Sequence, residues 1–392
     1  MKSLFTALAL AVFSTSLYAD DLDRAQTMID RGLAFLKSAQ RDDGGFLPPQ
    51  APPAIDALVL RAFVQEEAYT SQTDFVERGY ANLLSKQLED GGIYADLLAN
   101  YNTAIAISSL EAADDPDFRP AIDRALAYLR RLQWTTDTRP QYQGEGEQFA
   151  DQQVVKEVTD SFYGGFGYGG RSRGPGRPDL SNTHLSIEAM RDAGVDPYDP
   201  AMQRALVFVS RLQNLRATNN ASWAGDDGGF VYGPSHDRTG ESMAGSYTDD
   251  DGIRRLRSYG SMTYAGLKSF IYAGLSREDV RVQAAWEWIG RNWTLDANPG
   301  MQNAGPENAD DGLYYYYHTL ARALNVYDSP VIETPGGAVD WRGELIDKLE
   351  SLQRDDGSWA GDKRWMEDNP ILVTAYVVLT LQETRQDLIE HR

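Results

Sequence analysis

The chain is 392 residues long, with 37 Lys and Arg against 58 Asp and Glu, a formal net charge of −21. That balance works against nucleic acid or an anionic bilayer as partner, since phosphate groups would be repelled. The complete absence of cysteine removes disulfides, thiolate zinc sites, iron–sulfur clusters and thiol nucleophiles at once, and four histidines leave little for a histidine metal cluster, so neither metal nor cofactor is expected.

Residues Met1 to Ala19 read as a secretory leader: Lys2 supplies a positive start, Leu4 to Phe13 an apolar run, and Ala19 a small residue before Asp20. The run is too short to span a bilayer, and no later stretch reaches the roughly 18 apolar residues a span requires. The expectation is a periplasmic or secreted protein whose domain occupies residues 20–392.

Beyond the leader one phrase recurs: Gln, then Asp-Gly-Gly, then an aromatic or apolar residue. It appears at Gln40 to Phe46, at Gln87 to Tyr94 and, with Ser in place of the second Gly, at Gln353 to Trp359. Interrupted copies pair Gln133 with Tyr163-Gly164-Gly165-Phe166, across a long insertion at 135–165, and Gln213 with Asp227-Gly228-Gly229-Phe230. A degenerate sixth copy spans Trp293 to Gly300. Each phrase makes sense as a helix stop, because glycine admits left-handed backbone and Asp bonds nearby amides.

A charged amphipathic helix is predicted before each phrase: Leu22 to Gln40, Phe75 to Gln87, Pro120 to Gln133, Pro200 to Gln213, Arg277 to Trp293 and Trp341 to Gln353. The spacing of Ile122, Ala125, Leu126, Leu129 and Leu132 shows the helical period. A second helix follows each phrase and is apolar nearly all round: 54–65, 101–113, 181–193, 261–274, 313–326 and 370–382. Helices without a polar face are buried on every side. Six of each kind imply an all-α protein of two concentric rings, an α/α toroid, around a central cavity that takes a small or extended ligand. The amino termini of the inner helices should share one mouth, where free amides and dipoles favour anions.

The repeated phrase resembles that of the prenyltransferase and squalene-cyclase superfamily, over essentially all of the chain after the leader. The resemblance implies a toroid of six inner and six outer helices. Pro178-Asp179-Leu180-Ser181-Asn182-Thr183 looks like the segment with which squalene–hopene cyclases protonate their substrate. Ser181 stands at the acid position and Asn182 beside it, leaving Asp179 as the carboxylate. A hydroxyl cannot supply the proton that alkene activation demands. Tyr317-His318-Thr319 resembles the histidine segment of the zinc site of protein prenyltransferases, with Asp311-Gly312 just upstream. The segment expected to carry the other ligands falls at Tyr259-Gly260-Ser261, so no zinc site is expected. Gly144-Glu145-Gly146-Glu147-Gln148 looks like the thioester motif of complement-like proteins with Glu145 in place of cysteine, and no thioester can form.

Aligned on their apolar pattern, the inner helices place Thr103, Thr183, Thr263, Tyr317 and Thr374 at equivalent positions, with His184 and His318 each one residue later. Asp179, Asn182, His184, Tyr317 and His318 are the catalytic candidates. Asn102, Tyr259, Tyr264 and Tyr314, the first of four consecutive tyrosines Tyr314 to Tyr317 placed around the mouth, are the ligand-binding candidates. Arg171 and Arg173, which follow the glycine-rich run 162–170, would add guanidinium groups above it. Asp249-Asp250-Asp251 reads as a solvated acidic run, with carboxylates of the kind that bind calcium or magnesium.

Three functions stay open on the sequence. One is binding or conversion of a hydrophobic isoprenoid-like ligand without the usual cyclase acid or zinc site. Another is a polysaccharide lyase-like enzyme in which Tyr or His abstracts a proton while Asn182 and an arginine stabilise the enolate. The third is a non-catalytic scaffold.

Overall fold

A computed structural model describes residues 2–136, 155, 157–170, 176–234 and 242–391, with side chains from residue 19 onward. Arg171, Arg173, the thioester-like segment and most of the 135–165 insertion lie outside the described residues.

Twelve α-helices alternate between two rings. The outer helices are α1 (Lys2–Ser38), α3 (Asp74–Leu84), α5 (Arg119–Leu132), α7 (Pro200–Ser210), α9 (Val280–Arg291) and α11 (Trp341–Leu352). The inner helices are α2 (Pro53–Val64), α4 (Ala99–Ala112), α6 (Leu180–Asp192), α8 (Gly260–Tyr272), α10 (Leu313–Tyr327) and α12 (Pro370–Glu390). Inner helices pack in chain order, α2 on α4, α4 on α6, α6 on α8, α8 on α10 and α10 on α12, and α12 returns to α2. The ring is therefore closed, and the fold is the α/α toroid. Outer helix α1 seats against α12 and α11, bringing the two ends of the chain together. Two short hairpins, β1 (Ser246–Thr248) with β2 (Arg254–Leu256) and β3 (Val331–Thr334) with β4 (Gly337–Asp340), decorate the rim.

The burial pattern follows the residue pattern. On α5, Ile122, Ala125, Leu129 and Leu132 are buried while Asp123, Arg124 and Arg130 face solvent; on α2, every residue from Pro53 to Phe63 is buried.

The recurring phrase is a joint between neighbouring outer helices. Gln40 Nε2 donates to the Gly44 carbonyl at 3.0 Å and to Phe75 O, in the first turn of α3, at 2.7 Å. Gln87 reaches Ala121 O at 2.9 Å, Gln133 reaches Ala201 O at 2.9 Å, Gln213 reaches Arg281 O at 2.8 Å and Gln353 closes the circle at Met28 O, 3.2 Å. The first glycine of each phrase is left-handed, as with Gly91 at φ 91° and Gly164 at φ 88°. A Cβ on Gly164 would stand 1.9 Å from the Arg204 carbonyl of the next outer helix, so no other residue fits. In the degenerate sixth copy the bridging bond comes from an indole instead: Trp293 Nε1 donates to Glu344 Oε2 at 2.8 Å.

The aligned threonines complete the joint. The amides of Ile93, Phe166, Phe230 and Trp359 donate to Oγ1 of Thr103, Thr183, Thr263 and Thr374 at 3.0–3.1 Å. Asp56 does the same for Phe46 at 2.8 Å. These positions anchor the phrase to the inner helix and do not face the axis. Asp249 serves a turn: its Oδ1 accepts the amide of Ile253 at 2.8 Å and its Oδ2 pairs with Arg255 at 2.7 Å. No cluster of metal-binding side chains occurs among the described residues, and no helix there is long and apolar enough to cross a membrane.

Candidate functional site: a tyrosine-walled cavity at the amino-terminal end of the inner ring

A cavity of about 330 Å³ opens along the axis, within the size range of small-molecule sites. Its walls come from the first two turns of all six inner helices: Ala54 and Leu58 of α2, Tyr101 of α4, Ser181 of α6, Ser261 and Met262 of α8, Tyr315 of α10, Leu372 and Tyr376 of α12. Loops contribute Leu98, Tyr168, Tyr232, Met243, Tyr259 and the segment Trp365-Met366-Glu367. Six tyrosines and one tryptophan therefore face a space whose other walls are mostly aliphatic, with Ser181, Ser261 and Glu367 among them.

Hydroxyls pair along the walls and floor. Tyr101 and Tyr376 share a hydrogen bond of 3.1 Å, Tyr168 and Tyr232 one of 2.8 Å, and Ser181 Oγ lies 3.0 Å from the Tyr315 hydroxyl. The mouth is bordered by Leu98, Trp365 and Met366, at φ 57°, 54° and 67°, with Trp365 and Met366 exposed. Non-glycine residues in left-handed backbone cost on the order of 1–3 kcal/mol each and gather where ligands are clamped.

The amides at this end of the ring are not free, contrary to the expectation of an anion-attracting mouth. Ala54 N of α2 donates to Asn102 Oδ1 at 3.1 Å, and Asn100 N of α4 to the Tyr168 carbonyl at 2.9 Å. Asn182 N of α6 donates to Asp179 Oδ1 at 2.8 Å, Ser261 N of α8 to Asn298 Oδ1 at 3.0 Å, and Ile371 N of α12 to Asn369 Oδ1 at 3.0 Å. On α10, Tyr315 N and Tyr314 N donate to the two carboxyl oxygens of Glu367 at 2.8 and 3.3 Å. Every inner helix thus has at least one leading amide already bonded to a partner.

Two carboxyls sit here, and neither pairs with a basic side chain among the described residues. Burial pushes Glu367 up to about 7, against the pull of the amides of Tyr315, Tyr314 and Leu313. Burial likewise pushes Asp179 up to about 7, opposed by its bonds to Asn182 and Tyr232. Glu367 lines the cavity, whereas Asp179 stands behind Tyr232 as the cap of α6.

Below the tyrosine floor lies a chamber of about 20 Å³, room for one water molecule. His184 and His318 belong to it. His184 Nε2 is 2.6 Å from the Tyr315 hydroxyl, His318 stacks on Tyr376 at 5.2 Å, and Nδ1 of each is buried with no hydrogen-bond partner. Burial lowers both imidazoles, His318 to about 3, so both are neutral at physiological pH. Beneath them Lys268 binds Glu188, Arg61 approaches Glu188 at 3.3 Å, and Arg322 bridges Asp192 at 3.2 Å and Glu383 at 2.6 Å. Burial alone would raise the Glu188 carboxyl, but Lys268, Arg322 and Arg61 together hold it well below the usual carboxylate range.

Of the sequence candidates among the described residues, Tyr259 lines the cavity, and so does Tyr315 of the run Tyr314 to Tyr317. Asn182 holds Asp179 at 2.8 Å, and Asn102 ties α4 to α2 and to Leu97 O at 3.0 Å. Tyr317 donates to Leu295 O, Tyr264 packs edge-on against Tyr316, and Tyr314 packs edge-on against Tyr317. The Tyr, His, Asn and Arg set that proton abstraction from a uronate requires does not converge among the described residues. Glu367, Tyr101, Tyr168, Tyr232, Trp365 and Tyr376 were missed. Most lie on loops, and the inner-helix members sit one or two positions from the residues singled out.

No protein-family model matches the chain, and no curated protein matches it. Solved structures do. The type II terpene cyclase MstE from Scytonema superposes with a TM-score of 0.54 at 14% identity, covering 93% of this chain and 99% of that one. A variant of MstE solved with its substrate, geranylgeranyl dihydroxybenzoate, gives 0.51 at 13% identity over 94% and 99%. A protein from Actinoplanes gives 0.51 at 16% identity over 92% and 99%. The terpene-cyclase-like toroid is thus shared across nearly the whole length of each chain.

Proposed function

We propose that this protein binds a hydrophobic, isoprenoid-like molecule in the central cavity. The observation that carries this reading is the wall itself: six tyrosines, one tryptophan and aliphatic side chains around about 330 Å³, at the hollow end of a closed ring. Apolar surface of this kind gains about 25 cal/mol per Å² when a ligand removes it from water. Structures of the same fold hold geranylgeranyl-bearing molecules, which supports a chain-like terpenoid ligand. In the segment that resembles the squalene–hopene cyclase acid motif Ser181 stands where the acid would be, which supports binding without acid-initiated cyclisation. The leader-like first 19 residues support an exported protein; intact-mass measurement of periplasmic material should give a chain starting at Asp20, and a retained Met1 there would refute export.

Geranylgeraniol in dilute detergent provides the test. We expect one molecule per chain by isothermal titration and a rise in melting temperature. Leu58→Trp, which fills the cavity from α2, should abolish binding while leaving the circular dichroism spectrum unchanged. Absence of binding across C15 to C30 isoprenoids would overturn the reading.

A further inference from the structure

Among the described residues the lining of the cavity contains no Lys, Arg or His, and its one carboxyl is Glu367. Both oxygens of that carboxyl accept backbone amides of α10, an arrangement suited to the ionised form. Yet the group is only 2% exposed and has no cationic partner among the described residues. Arg364, three residues away, is committed to Asp311 at 2.5 Å and lies over the Trp365 ring at 4.9 Å. A buried carboxylate without a counter-charge is costly. The helix termini that would welcome an anion are already capped, and the protein as a whole is strongly acidic.

We propose that the ligand of this cavity is an alkyl or terpenoid amine, held as its ammonium ion with Glu367 as counter-charge and the tyrosine faces as the rest of its shell. The inference rests on the cavity reading above and names the head group that reading leaves open. Aromatic faces attract a cation by about 0.5–2 kcal/mol each when desolvated. A neutral hydroxyl gains no such attraction, and a diphosphate meets a carboxyl and, among the described residues, no basic side chain. None of the groups that bear on Glu367 brings a positive charge: Asp311 ahead of α10 is acidic, and Tyr314 on α10, Tyr101 on α4 and Tyr376 on α12 are neutral phenols. With Glu367 near 7, a fraction of the sites is protonated at neutral pH, so an arriving ammonium should expel that proton.

Three probes with one tail separate the outcomes: geranylgeranylamine, geranylgeraniol and geranylgeranyl diphosphate, titrated calorimetrically into the full chain at pH 7. The amine should bind at least about tenfold more tightly than the alcohol, with the diphosphate weakest. Titration in buffers of different ionisation enthalpy should show proton release for the amine alone. Glu367→Gln should abolish the proton release and remove most of the amine's advantage over the alcohol. Equal binding of amine and alcohol, or a preference for the diphosphate, overturns the head-group assignment and leaves the cavity reading standing. Binding of none of the three overturns both. Proton release is measured on the unaltered protein, so the outcome does not depend on how Glu367→Gln folds.

Discussion

At its amino-terminal end the inner ring is hollow and walled by tyrosines; two turns deeper the same helices fill the axis with charge. The change is written at a fixed interval. Ala54 and Arg61, Tyr101 and Ser108, Ser181 and Glu188, Ser261 and Lys268, Tyr315 and Arg322, Tyr376 and Glu383 are each seven residues apart. Seven residues are two helical turns, so each pair stacks along one face. The comparison teaches that one end is locked and the other left empty. Below, Arg61, Lys268 and Arg322 tie α2, α8 and α10 to the carboxylates of α6 and α12, whereas the ring above encloses the cavity.

The contrast can be broken first at the lower end. Glu188→Ala leaves Lys268 without its carboxylate and should cost about 3–5 kcal/mol in chemical denaturation, as breaking one side of a buried pair does. A loss below about 1 kcal/mol would show that the network locks nothing.

The upper end is sharpened by pH. Glu367 titrates near 7 in the folded chain against 4.5 for a free side chain, so the folded state binds the extra proton. Stability should then fall as pH rises from about 4.5 to 7 and level off above, by about 3 kcal/mol from this group. Glu367→Gln should flatten that part of the profile, measured by urea melts across pH 4–8. An unchanged slope would mean the cavity does not desolvate Glu367.

The smallest effect concerns the floor between the halves. Tyr315→Phe removes the hydroxyl shared by Ser181 and His184. It should cost about 1 kcal/mol and raise the His184 titration little, since burial rather than this bond keeps the imidazole neutral. NMR titration that brought His184 back to the ordinary histidine range would refute that account.

How far the site was readable follows from two-residue offsets. The threonines that align so well in sequence, Thr103, Thr183 and Thr263, anchor the glycine phrases. The residues facing the axis, Tyr101, Ser181 and Ser261, stand two positions earlier, about 200° round the helix. Reading the mouth from the aligned threonines and their immediate neighbours selected Asn102, Asn182 and Tyr317, all of which point into helix contacts. Ser181 and Tyr315 were in view as a departure from an acid motif and as one of four consecutive tyrosines, with no local signal to mark their direction. Glu367 had none at all: it sits in an irregular loop, and its importance comes from α10, which begins more than fifty residues earlier.

The sequence by itself determined the twelve helices, their division into half-exposed and buried sets, and the joints between them. Those depend on period, on glycine's left-handed backbone and on a glutamine at a fixed distance from it, all of which are local. Only the tertiary structure decided which end of the ring stays hollow and which face of each inner helix meets the axis. It also placed a lone carboxyl among the tyrosines. Each of those is a sum over six helices, and the burial that shifts a pKa or opens a cavity exists only once the ring has closed.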